Sequence, residues 1–205
     1  MGQGYAGDAE PGWLLVCIST GPDASLRVAV WRALRKLGAV YLQNSVALLP
    51  DQRPVSATVE RLVVRVAAGG GTGRILHITL ASSEAKAIVD EQRGDRDVEY
   101  TEVLERTPAF LEEIASETAR GRATYTEVEE SEADLARFER WLTSISDRDY
   151  FDAPAGPPAR AAIESCRQAL AEFEVLALAA DTQTDSQVGS SRGRTLRAVT
   201  EGDGA

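Results

Sequence analysis

Between residues 12 and 81 the apolar side chains come in four runs of strand length and two stripes of helical spacing, and their order leaves few folds open. Trp13 to Ser19 is a dense apolar run closed by the turn residues Gly21, Pro22 and Asp23, which predicts a central strand. Ser25 is placed to cap a helix that Gly38 stops. At about 100° per residue, Leu26, Val30, Ala33, Leu34 and Leu37 share one stripe, so this helix lies on a core. Ala39 to Gln43 and Val46 to Pro50 flank Asn44-Ser45, residue types that suit the tight turn of a hairpin. After Pro54, Ser56 is expected to cap a second helix with Val59, Leu62, Val63 and Val66 on its apolar face, ended by Gly69-Gly70-Gly71. Arg74 to Leu80 supplies a fourth strand. Strand, helix, strand, strand, helix, strand within about 70 residues is the split β-α-β pattern of a ferredoxin-like sandwich. The expected fold class is therefore α+β, with a ferredoxin-like β-α-β-β-α-β domain over residues 12–81 followed by a helical half over 82–180.

In that second half Glu, Ala, Leu and Arg dominate, with expected breaks at Gly94, Pro108, Gly121 and the Pro154 to Pro158 stretch. Leu135, Phe138, Trp141, Leu142 and Ile145 fall at helical spacing, and Ile163, Leu170, Phe173 and Leu176 repeat the pattern. Residues 1–11 and 181–205 carry too little apolar surface to offset the entropy of ordering them, and both read as disordered tails. No internal repeat is present.

Charge is distributed as unevenly as structure. Residues 1–80 hold eight basic and five acidic side chains, while residues 81–181 hold 11 basic and 24 acidic ones, within a total net charge of −10 over 205 residues. That asymmetry points to two modules with different jobs or two faces that meet. No apolar run approaches the roughly 20 residues needed to span a bilayer, and the Trp13 to Ile18 run lacks the flanks of a signal peptide, so a cytoplasmic location is expected. Two cysteines without a CxxC partner and a single histidine, His77, point to neither a disulfide framework nor a histidine-built metal centre. Gly69 to Gly73 follows a helix and lacks a Lys-Ser/Thr ending, so it is not a phosphate loop. No cofactor is expected.

The runs Trp13-Leu-Leu-Val and Leu26-Arg-Val-Ala-Val-Trp-Arg-Ala-Leu-Arg-Lys-Leu-Gly-Ala-Val-Tyr-Leu-Gln-Asn-Ser-Val-Ala-Leu-Leu-Pro50 resemble the N-terminal domain of the ChrB chromate-resistance regulators. Glu99-Tyr100-Thr-Glu102, Tyr125-Thr-Glu127-Val-Glu129, Arg140-Trp141-Leu142 and Arg148-Asp149-Tyr150-Phe151 look like later signatures of the same family, which extends the resemblance over roughly residues 12–180. Long members carry a separate C-terminal domain, and the expectation here is a short member without it. More distantly, the first 80 residues are similar to the central domain of phenylacetate-type repressors, whose winged helix finds no counterpart before Trp13, and to the small CRISPR adaptation nucleases. In those nucleases an Asp at the end of the first strand supports a metal. Here the stretch is Cys17-Ile18-Ser19-Thr20, a poor site for a hard cation that wants carboxylate oxygens.

Three groups of residues are candidates for chemistry. Opposite the core stripe of the first helix stand Val28, Trp31, Arg32 and Arg35, flanked by Arg27 and Lys36, a mixture that suits phosphates and bases or a protein partner. The competing reading docks Trp31 internally on the acidic half. Cys17 and His77 are expected on one face of neighbouring strands, as a redox pair or as ordinary strand residues. Arg148, steadied by Asp149, is a candidate for binding an oxyanion, against a reading in which Asp149 shapes a turn and Phe151 plugs the core. The acidic run from Glu127 to Asp134 reads as a solvated helix start.

The resemblance implies a chromate-resistance-type regulatory protein, non-enzymatic, acting on a DNA operator or a partner as a homodimer, with chromate as the possible oxyanion inducer. The alternatives are a degenerate ferredoxin-fold nuclease or thiol redox enzyme, and a protein-binding adaptor docking through Trp31.

Overall fold

The computed structural model describes residues 12–121 and 123–200, with side chains as far as residue 180. The chain runs β1 (Trp13–Ser19), α1 (Ala24–Lys36), β2 (Val40–Gln43), β3 (Val46–Pro50), α2 (Arg53–Ala68), β4 (Thr72–Ile78), α3 (Ser82–Ala119), α4 (Tyr125–Ser146) and α5 (Gly156–Thr200). This is the expected α+β class and element order. The sheet order is β2-β3-β1-β4, every neighbouring pair antiparallel. That order arises when two β-α-β units interleave, each helix crossing over the strand that the other unit inserts.

The chain divides into two compact units, and the division does not follow the expected boundary at residue 81: the first comprises Met1–Thr101 with Thr143–Gly156, the second Glu102–Leu142 with Pro157–Ala205. In the first unit the apolar density of β1 is explained by burial on both faces. Leu14, Val16 and Ile18 pack with Val30 and Leu34 of α1 and with Val55, Val59, Leu62 and Val66 of α2. Trp13 and Leu48 pack on the other face with Phe151, joined by Ile88 and Val89 from the start of α3. A strand with both faces largely covered has little solvent-facing alternation, which is why its sequence reads as a continuous run, Ser19 at its end being the exposed position. In the second unit Val103, Phe110, Ile114, Leu135, Ile163, Cys166, Leu170 and Phe173 are buried, whereas Leu176 of the expected stripe is exposed and Ala177 takes the inward position. Phe110 meets Phe138 edge-on at 6.1 Å, and Arg167 bridges Glu139 at 2.6 Å and Glu164 at 2.7 Å.

Several boundaries differ from the sequence expectation for identifiable reasons. Asp23, not Ser25, caps α1: its Oδ1 accepts the backbone N–H of Ser25 at 2.8 Å and of Leu26 at 3.0 Å. α2 starts at Arg53 because Pro54 is suited to a first helical turn, leaving Ser56 inside the helix, where its hydroxyl donates to Asp51 Oδ1 at 2.8 Å. β4 begins two residues early, at Thr72, where only glycine fits at Gly71: an added Cβ would lie 2.6 Å from the Ser19 carbonyl oxygen. α3 continues through both Gly94 and Pro108. Gly94 is exposed and costs only about 1 kcal/mol against alanine. Proline at 108 offers no N–H to the Leu104 carbonyl, which takes the Thr107 hydroxyl at 3.2 Å instead. The stretch from 181, expected to lack order, continues α5 to Thr200, since extending an existing helix is far easier than nucleating one. Residues 1–11 and 201–205 lie outside the described residues. Among the described residues no helix is long and apolar enough to cross a membrane.

Gly38 joins α1 to the rest of its unit. Its φ is +69°, an added Cβ would lie 3.1 Å from Arg148 Cβ and 3.4 Å from Arg96 Nη1, and its carbonyl accepts Gln92 Nε2 at 2.7 Å. Gly38→Ala should therefore destabilise by about 1–2 kcal/mol and lower the thermal midpoint by about 2–8 °C. A melt indistinguishable from wild type would show that the α1 terminus rearranges without cost.

Candidate functional site

Because Val30 and Leu34 are buried, the helical period turns Val28, Trp31, Arg32 and Arg35 outward. Trp31 is 46% exposed and Val28 44%, so in its own unit Trp31 is not docked internally. Arg35 lies over the Trp31 ring, its Cζ 5.2 Å from the centroid, a cation–π contact that holds both side chains along the helix surface. Arg35 and Lys36 also occupy the last turn of α1, where the helix end favours positive charge.

A cleft of about 250 Å³ is lined by Trp31, Arg32, Arg35, Lys36, Ser144 and Arg148. Arg148 reaches it from the far end of the unit's sequence. Its Nε donates to the Ser144 carbonyl at 2.9 Å and its Nη1 to Glu99 Oε1 at 3.0 Å. Glu99 also accepts from Arg96 Nε at 3.0 Å, and Asp95 lies 4.0 Å from Arg96; the cleft itself is lined by four cations and no carboxylate, which keeps it electropositive. Arg32 and Lys36 have no ion-pair partner among the described residues.

On the other side of Trp31, a cavity of about 570 Å³ opens between α1, the end of β1 and the β2–β3 turn. Val30, Leu34 and Ala47 give it apolar walls, and Ser19, Thr20, Asn44 and Ser45 supply polar ones. The turn is fastened to β1 by the Ile18 N–H donating to the Ser45 carbonyl at 2.9 Å, and Arg27 Nη2 fastens the β1–α1 loop through the Gly21 carbonyl at 3.1 Å. Tyr41 donates to the Trp31 carbonyl at 3.4 Å, with burial holding its phenol above the usual range.

The family model described as Protein ChrB, N-terminal, matches residues 27–184, a span that includes the whole outward face of α1 and Arg148. The chain belongs to the ChrB N-terminal family. It is 27% identical over 158 residues to Protein ChrB of Cupriavidus metallidurans, an alignment covering 76% of this chain and 44% of that protein. This ChrB-family chain thus spans less than half the length of the curated relative it matches.

Two residue pairs expected from the sequence are arranged differently in the ChrB-family fold. Asp149 does not hold Arg148: it accepts the Tyr100 hydroxyl at 3.1 Å and the Ala153 N–H at 3.0 Å. Tyr150 donates to the Leu37 carbonyl at 2.9 Å, its phenol pushed up to about 12 mainly by burial, and Phe151 stacks near Trp13 at 5.7 Å. Asp149 and its two aromatic neighbours thus anchor the chain, while Arg148 alone faces the cleft. Cys17 and His77 are not a pair. The β1–β4 register sets Cys17 opposite Arg74 and Leu14 opposite His77, and opposed residues share a face, so thiol and imidazole lie on opposite faces. Among the described residues no cluster of three or more His, Cys, Asp or Glu side chains is arranged to hold a metal.

His77 instead meets Asp51, Nδ1 to Oδ2 at 2.6 Å, a partnership no periodicity could reveal across 26 residues. The His77 hydrogen bond holds the Asp51 carboxyl below its ordinary 3.8, outweighing partial burial, and the Ser56 hydroxyl adds to the effect. A carboxyl depressed in the folded state binds its proton more readily unfolded, so the contribution is present above about pH 4 and is lost as pH falls through the folded value. Asp51→Asn should lower the thermal midpoint at pH 7, and the gap to wild type should close as pH falls below the ordinary carboxylate value of 3.8 and Asp51 takes up its proton. A gap constant with pH would assign the loss to packing.

Proposed function

We propose that this chain is a regulatory protein of the chromate-resistance type that binds DNA through the outward face of α1 and performs no catalysis. The observation that carries the reading is the gathering of Arg32, Arg35, Lys36 and Arg148 around a half-exposed Trp31 in one cleft. A chain of net charge −10 repels a polyanion at long range. Binding then depends on short-range contacts, and a local cluster of guanidinium groups is the geometry that neutralises phosphates. Membership of the ChrB N-terminal family supports the link to chromate resistance. Chromate, a tetrahedral dianion, would enter the same cleft through Arg148 and compete with phosphate there. The acting form is taken as a homodimer: β2 and β4 end the sheet, with Leu42 and Leu76 exposed along them, and a bare sheet edge can pair with a second copy.

Gel-shift titration of the promoter fragment preceding the protein's own gene tests the proposal. Wild type should shift the fragment, and the triple change Trp31→Ala, Arg32→Ala, Arg35→Ala should abolish the shift with a thermal midpoint nearly unchanged, because surface substitutions usually cost within about 0.5 kcal/mol. The double change of the two arginines alone should flatten the salt dependence of log K by about two units. Wild-type affinity in the triple variant would remove α1 from the interface.

A further inference from the structure

We propose that the 570 Å³ cavity beside Trp31 is a pocket for a single unstacked nucleobase, whose phosphate lies in the neighbouring cationic cleft. The inference rests on the α1 face being a nucleic-acid surface, and it names what that surface recognises: a nucleotide unit out of its stack.

The volume lies in the range of about 300–1,000 Å³ that small ligands occupy. Its composition narrows the class. Val30, Leu34 and Ala47 form walls suited to the faces of a flat ring, while Asn44 and the hydroxyls of Ser19 and Ser45 present donors and acceptors suited to a ring edge. Thr20 belongs to the same polar wall. It lines the cavity, is only 8% exposed, and its hydroxyl adds a further donor and acceptor to the polar wall. An apolar ligand would leave that polar wall without partners, whereas a base sets its faces on the apolar residues and its edge on the polar ones.

The second part of the argument is adjacency. Trp31 lines both the cavity and the cleft, so the base-sized and phosphate-binding spaces share a wall. Along α1 the two are served by successive turns, Arg27 and Val28 on one side and Arg32, Arg35 and Lys36 on the other, whose backbone positions span about 13.5 Å of helix axis at the 1.5 Å rise per residue. Trp31 offers an indole on which a base can stack as it enters. A base inside an intact duplex is stacked above and below and cannot reach such a recess; a free nucleotide or a single-stranded segment can.

Equilibrium binding by fluorescence anisotropy, at one fixed salt concentration, compares a labelled single strand, the same strand carrying an abasic residue at each position, and the intact duplex; adenosine and thymidine monophosphates serve as unlabelled competitors. The base-bearing strand should bind about tenfold or more tightly than its abasic counterpart. In Thr20→Val with Asn44→Ala that ratio should fall to about one. Competition by the mononucleotides that these variants also lose would assign the pocket to free nucleotides; discrimination confined to strands would assign it to an unstacked residue in a chain. Equal binding of abasic and base-bearing strands by wild type overturns the pocket while leaving the DNA-binding reading intact if the duplex still shifts. Absence of binding to every probe overturns both, and an unchanged ratio in the double variant overturns the assignment to this cavity.

Discussion

Everything on the working face of the molecule depends on β1 being buried from both sides. Leu14, Val16 and Ile18 fix the helices on one face, and Trp13 receives Phe151 on the other. The first layer decides how α1 is rotated, because Val30 and Leu34 must face the sheet, and the opposite side of the helix is then committed to solvent. The second layer decides where residues 148–151 return. With Phe151 against Trp13 and the Tyr150 hydroxyl on the Leu37 carbonyl, the preceding Arg148 is delivered to the end of α1. One aromatic contact and one hydrogen bond thus bring together cations that lie more than a hundred positions apart.

The electrostatics follow from that packing. Glu99 lies between Arg96 and Arg148, and Asp95 also approaches Arg96, so the excess positive charge of the cleft rests on Arg32, Arg35 and Lys36. Solvent-exposed charges are screened over roughly 8 Å at physiological salt, so the acidic excess of the whole chain acts mainly on approach, while the cluster around Trp31 acts at contact. A surface of this kind interacts with anions at short range and gains little from diffuse long-range attraction. On the far side of Trp31 the cavity combines apolar and polar walls, a chemistry distinct from that of the cationic cleft.

The same chain shows which structural signals are local and which are not. The strand and helix periods of residues 12–81 were readable because each is set by neighbours within one or two turns, and the observed elements agree within a few residues. Errors came where one interaction overrode a general preference: Asp23 displaced Ser25 as the cap of α1, and the Thr107 hydroxyl let α3 run through Pro108. The outward face of α1 was legible for the same reason as its inward stripe, since one period determines both.

What the sequence determined by itself was the α+β class, the order of elements, the central place of β1 and the family. What only the tertiary structure decided was pairing across the chain. The register of β1 on β4 separates Cys17 from His77 and leaves His77 near Asp51. The return of residues 148–151 takes Arg148 from Asp149, gives it to Glu99 and sets it beside Trp31. Periodicity reports which way a residue faces within its own element. Which residue it meets depends on register and layer packing, set by contacts among residues far apart in sequence, and those appear only when the core has formed.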